Sequence, residues 1–215
     1  MYGRRRYGGY DVAAGRPGVC QMTSSGVVLV GGEARRANGM EKYFFVLEGR
    51  TFIERLIDAL SGIVDEVILV AKDPRQCERF SHLEGVRCVT DIRRGMGPLG
   101  GLHAGALAAR GDVLFVCACD MPCINRQLVS HLLSLLDDYE GVIPAWKPDM
   151  IEPLHAVYRR DALLRYLESH QSLSLRDMVQ ALRCRFVDIH SLEEIDPGLR
   201  SFTNINKLED LGRLS

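Results

Sequence analysis

No apolar run in the sequence approaches the roughly 18–20 residues that a membrane helix needs. The longest uninterrupted one, Val113–Cys119, suits a buried strand. Net charge is also nearly absent: 27 Lys and Arg against 28 Asp and Glu leave -1. That is too little for a global field that would draw in nucleic acid or an anionic membrane. Seven cysteines are present, but not at the spacing of a disulfide framework. They are expected to be reduced thiols of a cytoplasmic protein. The arginines near the N-terminus have no apolar stretch behind them, so they do not form a secretory signal. There is no internal repeat, no Walker A Gly-Lys-Ser/Thr and no G-x-G-x-x-G. These absences exclude membrane-spanning, extracellular, fibrous and disulfide-stapled classes.

What is present is a chain of 215 residues, 47% hydrophobic and 26% charged, enough for one sizeable α/β domain. The charge is uneven. Residues 1–25 carry Arg4, Arg5, Arg6 and Arg16 against Asp11, a local +3 that leaves -4 on residues 26–215. This leader is rich in Gly, Arg and Tyr and has no periodicity, so it cannot bury enough apolar surface to offset its ordering entropy. Such a composition can contact RNA by stacking and charge, but four arginines do not carry that reading. Residues 1–25 are expected to be a disordered leader, or translation from an upstream start with Met22 as the true beginning. Residues 26–215 are expected to form the single domain.

Strand-like and helix-like segments alternate through that domain. Val27–Val30, Glu66–Ala71, Val86–Thr90, Val113–Cys119 and Gly141–Ala145 read as strands. Thr51–Ser61, Pro74 to about Phe80, Gly100–Arg110 and Asn125–Asp138 read as the helices between them. This spacing predicts right-handed crossovers and a mostly parallel sheet covered on both faces. Pro153–Tyr158 has no crossover helix before it and is expected to run antiparallel at an edge. Asp161–Ser169 and Ser174–Leu182 are predicted helices, Arg185–Ile189 a strand and Lys207–Leu214 a closing helix.

Ligands of open α/β sheets bind beyond the carboxyl ends of the strands, so the chemistry is sought there. After the first strand come Gly31 and Gly32, then Arg35, Arg36 and Lys42. Two glycines let backbone approach a ligand closely, exposed N–H groups can cradle phosphate, and the basic residues add charge. Alone, this is also what a surface turn looks like. After the third strand come Asp91 and the glycine-rich stretch Gly95–Gly101, suited to a ligand's ring edge or hydroxyls, or to an ordinary turn into a helix. After the fourth comes Asp120, which is placed either to hold a metal or to cap a helix. Mg²⁺ needs few protein carboxylates because water and phosphate oxygens complete its shell. Three such loops on neighbouring strand ends describe a nucleotide site better than any one of them.

The same residues carry a resemblance. Leu29-Val30-Gly31-Gly32 followed by Arg36, Gly39 and Lys42 resembles the L-A-G-G-x-S-x-R-x-G-x-D-K signature of the molybdenum cofactor guanylyltransferase family. The likeness continues in order through Asp91, Gly97-Pro98-Leu99-Gly100-Gly101-Leu102, Cys119-Asp120-Met121-Pro122, Pro153-Leu154-His155-Ala156-Val157-Tyr158 and Phe202-Thr203-Asn204-Ile205-Asn206. The first motif marks a nucleotidyltransferase superfamily; the later blocks are more specific. The loop departs from the signature by one extra residue at Ala37-Asn38, by Ala34 in place of Ser and by Val30 in place of Ala. An Asn that some members place after the second strand has no counterpart in Val70–Asp73.

The resemblance implies a Rossmann-like three-layer nucleotidyltransferase fold. It implies GMP transfer from GTP to the terminal phosphate of molybdopterin, with Mg²⁺, releasing pyrophosphate. By family position, Leu29, Val30, Gly31, Gly32, Lys42, Asp91 and Asp120 would bind the nucleotide. Arg36, Lys42 and Asp120 would be catalytic, with Asp120 carrying the metal. Gly97, Pro98, Leu99, Gly100, His155, Asn204 and Asn206 are the acceptor-side candidates. The implied partners are GTP, molybdopterin or molybdenum cofactor, and other proteins that make or accept the cofactor, with no nucleic acid and no membrane.

Other residues are read more plainly. Cys117, Cys119 and Cys123 form C-x-C-x₃-C, but successive strand residues face opposite sides and no His is near, so they are expected to be buried small side chains. Trp146, the single tryptophan, is either a pterin-stacking ring or a structural rim aromatic. Other readings stay open: cytidylyl transfer to molybdopterin, nucleotidyl transfer to a sugar or other small phosphate, or a non-catalytic nucleotide-binding regulator. The presence of Lys42, Asp91 and Asp120 argues against the last.

Overall fold

The computed structural model describes residues 22–30, 41–91, 97–170, 172–206 and 209–210. Its central strand, β1 (Ser24–Leu29), is buried on both faces from Ser25 onward, as a strand flanked on each side and covered by helices must be. It pairs in parallel with β4 (Glu66–Ala71) on one side and β6 (Val113–Ala118) on the other. Strand β5 (Val86–Thr90) pairs in parallel outside β4. Between β1 and β4 lie a 3-10 turn (Lys42–Phe44), a small hairpin of β2 (Val46–Leu47) and β3 (Arg50–Thr51), and helix α1 (Phe52–Leu60). Helix α2 (Pro74–Glu78) joins β4 to β5, and α3 (Pro98–Ala108) carries the chain back over β1 to β6. That reversal opens a crevice beyond the carboxyl ends of β1 and β6.

The remaining strands are β7 (Gly141–Lys147), β8 (Met150–Ile151), β9 (His155–Arg159) and β10 (Cys184–Asp188). The sheet order is β10-β7-β9-β6-β1-β4-β5, with β8 paired to β7. Helix α4 (Arg126–Ser134) precedes β7, and α5 (Arg160–Ser169) and α6 (Leu175–Ala181) precede β10. The expected antiparallel strand is there, but it is not at an edge: β9 runs antiparallel between β6 and β7. It follows β7 through β8 with no crossover helix, which forces the antiparallel direction. Its residues His155–Tyr158 are all buried, so only an interior position covers both of its faces. The domain also begins slightly earlier than expected, since Ser24 and Ser25 already pair in the sheet. Of the predicted closing helix at 207–214, only residues 209–210 are described. The leader's first 21 residues also lie outside the described residues.

Local signals set the helix ends. Thr51 caps α1 in a capping box with Glu54, so two of the first unpaired N–H groups are satisfied reciprocally. Asn125 caps α4 by accepting from the N–H groups of Gln127 and Leu128. Helices α1 and α4 cover one face of the sheet over Val28, Leu69 and Phe115. Helices α3 and α5 cover the other over Val27, Ile68, Leu114 and Val116. The three-layer α/β expectation is met. No helix among the described residues is long and apolar enough to cross a membrane.

The cysteine expectation is overturned at one pair. Cys77 on α2 and Cys88 on β5 form a disulfide, with their Cα atoms 5.7 Å apart. Spacing could not reveal it, because only the packing of α2 against the edge strand brings two residues 11 apart in sequence into bonding geometry. Cys117, Cys119, Cys123 and Cys184 are free thiols.

Helix α3 is buried from Leu99 through Ala106, and small residues let it lie flush on the sheet. A Cβ at Gly105 would stand 2.5 Å from Val27 Cγ1 and 3.2 Å from Val70 Cγ2. Both neighbours are stiff β-branched side chains in packed strands. Gly105→Ala is therefore expected to lower unfolding free energy by about 1–2 kcal/mol despite the better helix propensity of Ala. A denaturant melt showing no loss would mean that α3 does not press on β1.

Candidate active site

The site begins where β1 ends. Leu29 and Val30 are buried to 7% and 2% exposure, so their side chains belong to the core and only their backbone approaches the crevice. That backbone is already tied: Val30 N–H donates to Val70 O, and Leu29 O accepts from Cys119 N–H at 3.1 Å. These bonds continue the β4-β1-β6 ladder to the mouth of the crevice. Gly31, Gly32, Arg35 and Arg36 lie outside the described residues.

The chain returns at Glu41 and Lys42, and here the structure joins three predicted residues. Lys42 Nζ lies 2.6 Å from Asn206 Oδ1 and 3.5 Å from Asp120 Oδ2. The Lys42 side chain is mostly buried and that of Asp120 partly so, so the pair is less screened by water than a surface bridge. Asp120 Oδ1 accepts no hydrogen bond from any described residue. Asn206 N–H donates to Asp210 at 2.9 Å.

Two anchors hold this cluster. Below Lys42, Tyr43 is fully buried. Its hydroxyl donates to Glu41 and accepts from Gln76 Nε2 at 3.2 Å. Burial, with the hydrogen bond to Glu41, pushes the Tyr43 hydroxyl up to about 12. The Glu41 carboxylate also pairs with Lys72, at 3.4 Å, and with Arg79. Beside Asp120, Ile205 sits in a small apolar cluster with Phe45 and Phe52, and its N–H donates to Asp120 O at 2.8 Å. That bond sets Asn206 against Lys42. Glu41, Tyr43 and Gln76 were not singled out from the sequence. The signal available was a charged residue directly before Lys42; its partners are the nearby Tyr43 hydroxyl and, from elsewhere in the chain, Lys72 and Arg79.

Asp91 follows the edge strand β5, and its N–H donates to Ala71 O at 2.8 Å. From β5 to β6 is three strand spacings, about 14 Å, a span suited to a nucleoside and its phosphates. In the Gly97–Gly100 block, Gly97 and Pro98 are exposed at the start of α3, whereas Leu99 and Gly100 are buried. Gly97 has φ 57°, in the left-handed region, which is the reason for glycine there. Asn204 is exposed, two residues before Asn206.

His155 is not in the crevice. It is fully buried, opposite Cys117 in the β6–β9 ladder. Its ring lies 5.3 Å from that of Phe115 and 4.8 Å from that of Phe202. The expectation that it faces an acceptor is corrected by the interior position of β9. Among the described residues neither ring nitrogen has a hydrogen-bond partner, and burial pushes its pKa down to about 3. Of the three cysteines expected to be buried, Cys117 is buried but Cys119 and Cys123 are half-buried, because they lie past the end of β6; burial still raises all three thiols. No group of three or more His, Cys, Asp or Glu among the described residues could hold a metal by itself. A metal here would have to share Asp120 with a substrate's phosphates. A partly exposed carboxylate with one oxygen free of described donors fits Mg²⁺, whose shell water and phosphate oxygens would complete.

The His155 geometry has a pH signature. The folded-state value lies below that of the unfolded chain, about 6.5. Stability is therefore unaffected above pH 6.5 and falls as pH drops toward 3, by about 1.4 kcal/mol per pH unit for the one extra proton on the unfolded chain. His155→Leu is expected to flatten the stability profile between pH 6 and pH 4 by that slope. An unchanged profile from denaturant melts would place the ring in water.

Residues 26–186 match the model of a family described as the MobA-like NTP transferase domain. The chain is 39% identical over 198 residues to a probable molybdenum cofactor guanylyltransferase of Methanosarcina acetivorans, covering 87% of this chain and 88% of that one. It is 33% identical to a molybdenum cofactor guanylyltransferase of Desulfosudis oleivorans, with 87% and 92% covered. Among solved structures it is similar to molybdopterin-guanine dinucleotide biosynthesis protein A from Archaeoglobus fulgidus. That match has a TM-score of 0.72 and 29% identity, covering 88% of this chain and 95% of that one.

Proposed function

The chain belongs to the MobA-like NTP transferase domain family, and on that premise we propose that it transfers GMP from GTP to the terminal phosphate of molybdopterin. The products are molybdopterin guanine dinucleotide and pyrophosphate. The observation that carries this reading is the convergence of Lys42, Asp120 and Asn206 in the crevice between β1 and β6. One cation, one carboxylate and one amide there form a site for apposed phosphates. The names of the relatives supply the identity of the two substrates.

In this reading an oxygen of the acceptor's phosphate attacks the α-phosphorus of GTP. The bond from that phosphorus to the β-phosphate's bridging oxygen breaks, and pyrophosphate leaves with the electron pair. No covalent enzyme intermediate is needed; alignment and charge neutralisation carry the step. Asp120 would hold Mg²⁺, which supplies positive charge to phosphate oxygens. Lys42, held by Asn206, would place its ammonium on the triphosphate as a point charge. Gly31, Gly32 and Arg36 would cradle and neutralise the phosphates, and Asp91 would receive the guanosine at the β5 end. Gly97, Pro98 and Asn204 remain exposed candidates for acceptor contact. A cytoplasmic location, where GTP is available, and handover to other proteins of cofactor synthesis or use belong to the same proposal.

The test is pyrophosphate release with GTP, CTP or ATP, with and without molybdopterin. Release with GTP and molybdopterin together is expected. Release with CTP alone among the nucleotides would replace guanylyl by cytidylyl transfer, and none with any nucleotide would favour a regulator. Asp120→Ala is expected to lower turnover by about 10²-fold or more, as loss of a transition-state charge contact does. Its thermal melt should stay near wild type, because Asp120 is partly exposed. Full Mg²⁺-dependent activity in that variant would remove Asp120 from the reaction. Lys42→Ala is expected to raise the KM for GTP and slow transfer, and unchanged kinetics would take Lys42 out of the site.

A further inference from the structure

Asp120 stands near the middle of the crevice. On one side lie the β1, β4 and β5 ends, assigned above to the nucleotide. On the other the sheet continues into β9 and β7, the ground left for the acceptor. Two side chains there are joined to each other and have no part in the mechanism so far. Trp146, near the end of β7, donates from Nε1 to Glu152 Oε1 at 2.9 Å. Glu152 lies three residues ahead of β9, so it comes to the same end of the sheet as Asp120.

Both are held in place. The indole lies edge-on to the rings of His190, at 5.6 Å, and Phe202, at 6.0 Å. Glu152 N–H donates to Pro144 O at 2.8 Å, and Glu152 O accepts from His155 N–H at 3.1 Å. The Glu152 side chain is half-buried; burial raises its carboxyl, the Trp146 hydrogen bond opposes this, and the charge of Asp120 raises it further. Glu152 Oε2 accepts no hydrogen bond from any described residue.

A carboxylate in this position repels a phosphate and attracts N–H donors. It therefore gives the acceptor a direction, with its phosphate toward Lys42 and its ring toward Glu152. A pterin's 2-aminopyrimidinone edge carries a ring N–H beside an exocyclic amine, two adjacent donors that match the two oxygens of a carboxylate. We infer that Glu152, oriented by Trp146, is an acceptor-specificity residue that receives the amino–N–H edge of the pterin ring. The inference rests on the acceptor proposed above. It names a residue that the sequence motifs did not mark as a ligand.

Trp146 is the only tryptophan of the chain, so its fluorescence reports on this position. The full chain is titrated with free pterin and with lumazine, which carries an oxo group where pterin has the 2-amino group. Pterin is expected to quench Trp146 with a Kd at least about tenfold below that of lumazine, the size of one hydrogen-bonded discrimination. Glu152→Gln, which keeps an oxygen for the Trp146 N–H, is expected to abolish that preference. Glu152→Asp, which keeps the charge, should restore part of it. With molybdopterin and GTP, Glu152→Gln should raise the KM for molybdopterin about tenfold and leave the KM for GTP and the Mg²⁺ requirement unchanged. The inference is overturned if the glutamine variant keeps the full pterin preference. It is equally overturned if that variant shifts the Mg²⁺ requirement, which would place Glu152 on the metal. If the wild-type chain binds pterin with this preference yet releases no pyrophosphate from GTP and molybdopterin, the proposed reaction fails and the recognition stands.

Discussion

The ammonium of Lys42 sits between an amide oxygen at 2.6 Å and a carboxylate oxygen at 3.5 Å, and much of the structure serves to keep it there. A lysine carries large rotamer entropy and would otherwise extend into water. Here its backbone is fixed by the next residue, since Tyr43 is buried and bonded to Glu41 and Gln76. Its amide partner is fixed from the far end of the chain, where Ile205 packs with Phe45 and Phe52 and donates to Asp120 O. Residues 42, 120 and 206 meet because β1 and β6 are neighbours and because that one apolar side chain is stapled to the small hairpin's helix.

This arrangement explains how a chain with net charge -1 suits polyanionic substrates. No global field is needed if, as proposed, the cation held at Lys42 is where the phosphates meet. The longer Lys42–Asp120 contact leaves a carboxylate oxygen without a described donor, which a hard cation can take. The sheet then divides the crevice: parallel strand ends on the β1, β4 and β5 side, and the antiparallel insertion of β9 on the other. That insertion brings Glu152 and Trp146 to the working end, and it also sends His155 into the core.

Much of the fold was legible because it rests on local rules. Periodicity marked the strands of the parallel half and helices starting at Thr51 and Asn125, and Pro74 marked a helix start through its fixed φ. Asp91 and Asp120 stood out as carboxylates directly after apolar strands, and Lys42 as a cation in the loop after the first strand; together they described a nucleotide site better than any one alone. Three things were not legible. The place of β9 depends on which neighbours accept a strand buried on both faces. The Cys77–Cys88 disulfide depends on the docking of α2 against β5. The Trp146–Glu152 pair depends on how the turn through β8 folds back.

By itself, the sequence determined the element types, the parallel core and the residue kinds available at the strand ends, since these follow from side-chain period and short-range backbone chemistry. Only the tertiary structure decided which of those residues meet. Asn206 reaches Lys42 across 164 positions, and His155, although inside a matched block, is turned away from the crevice and fully buried. Contacts of that range are set by strand order and by the packing of single apolar side chains. Neither leaves a periodic trace in the residues that make the contact.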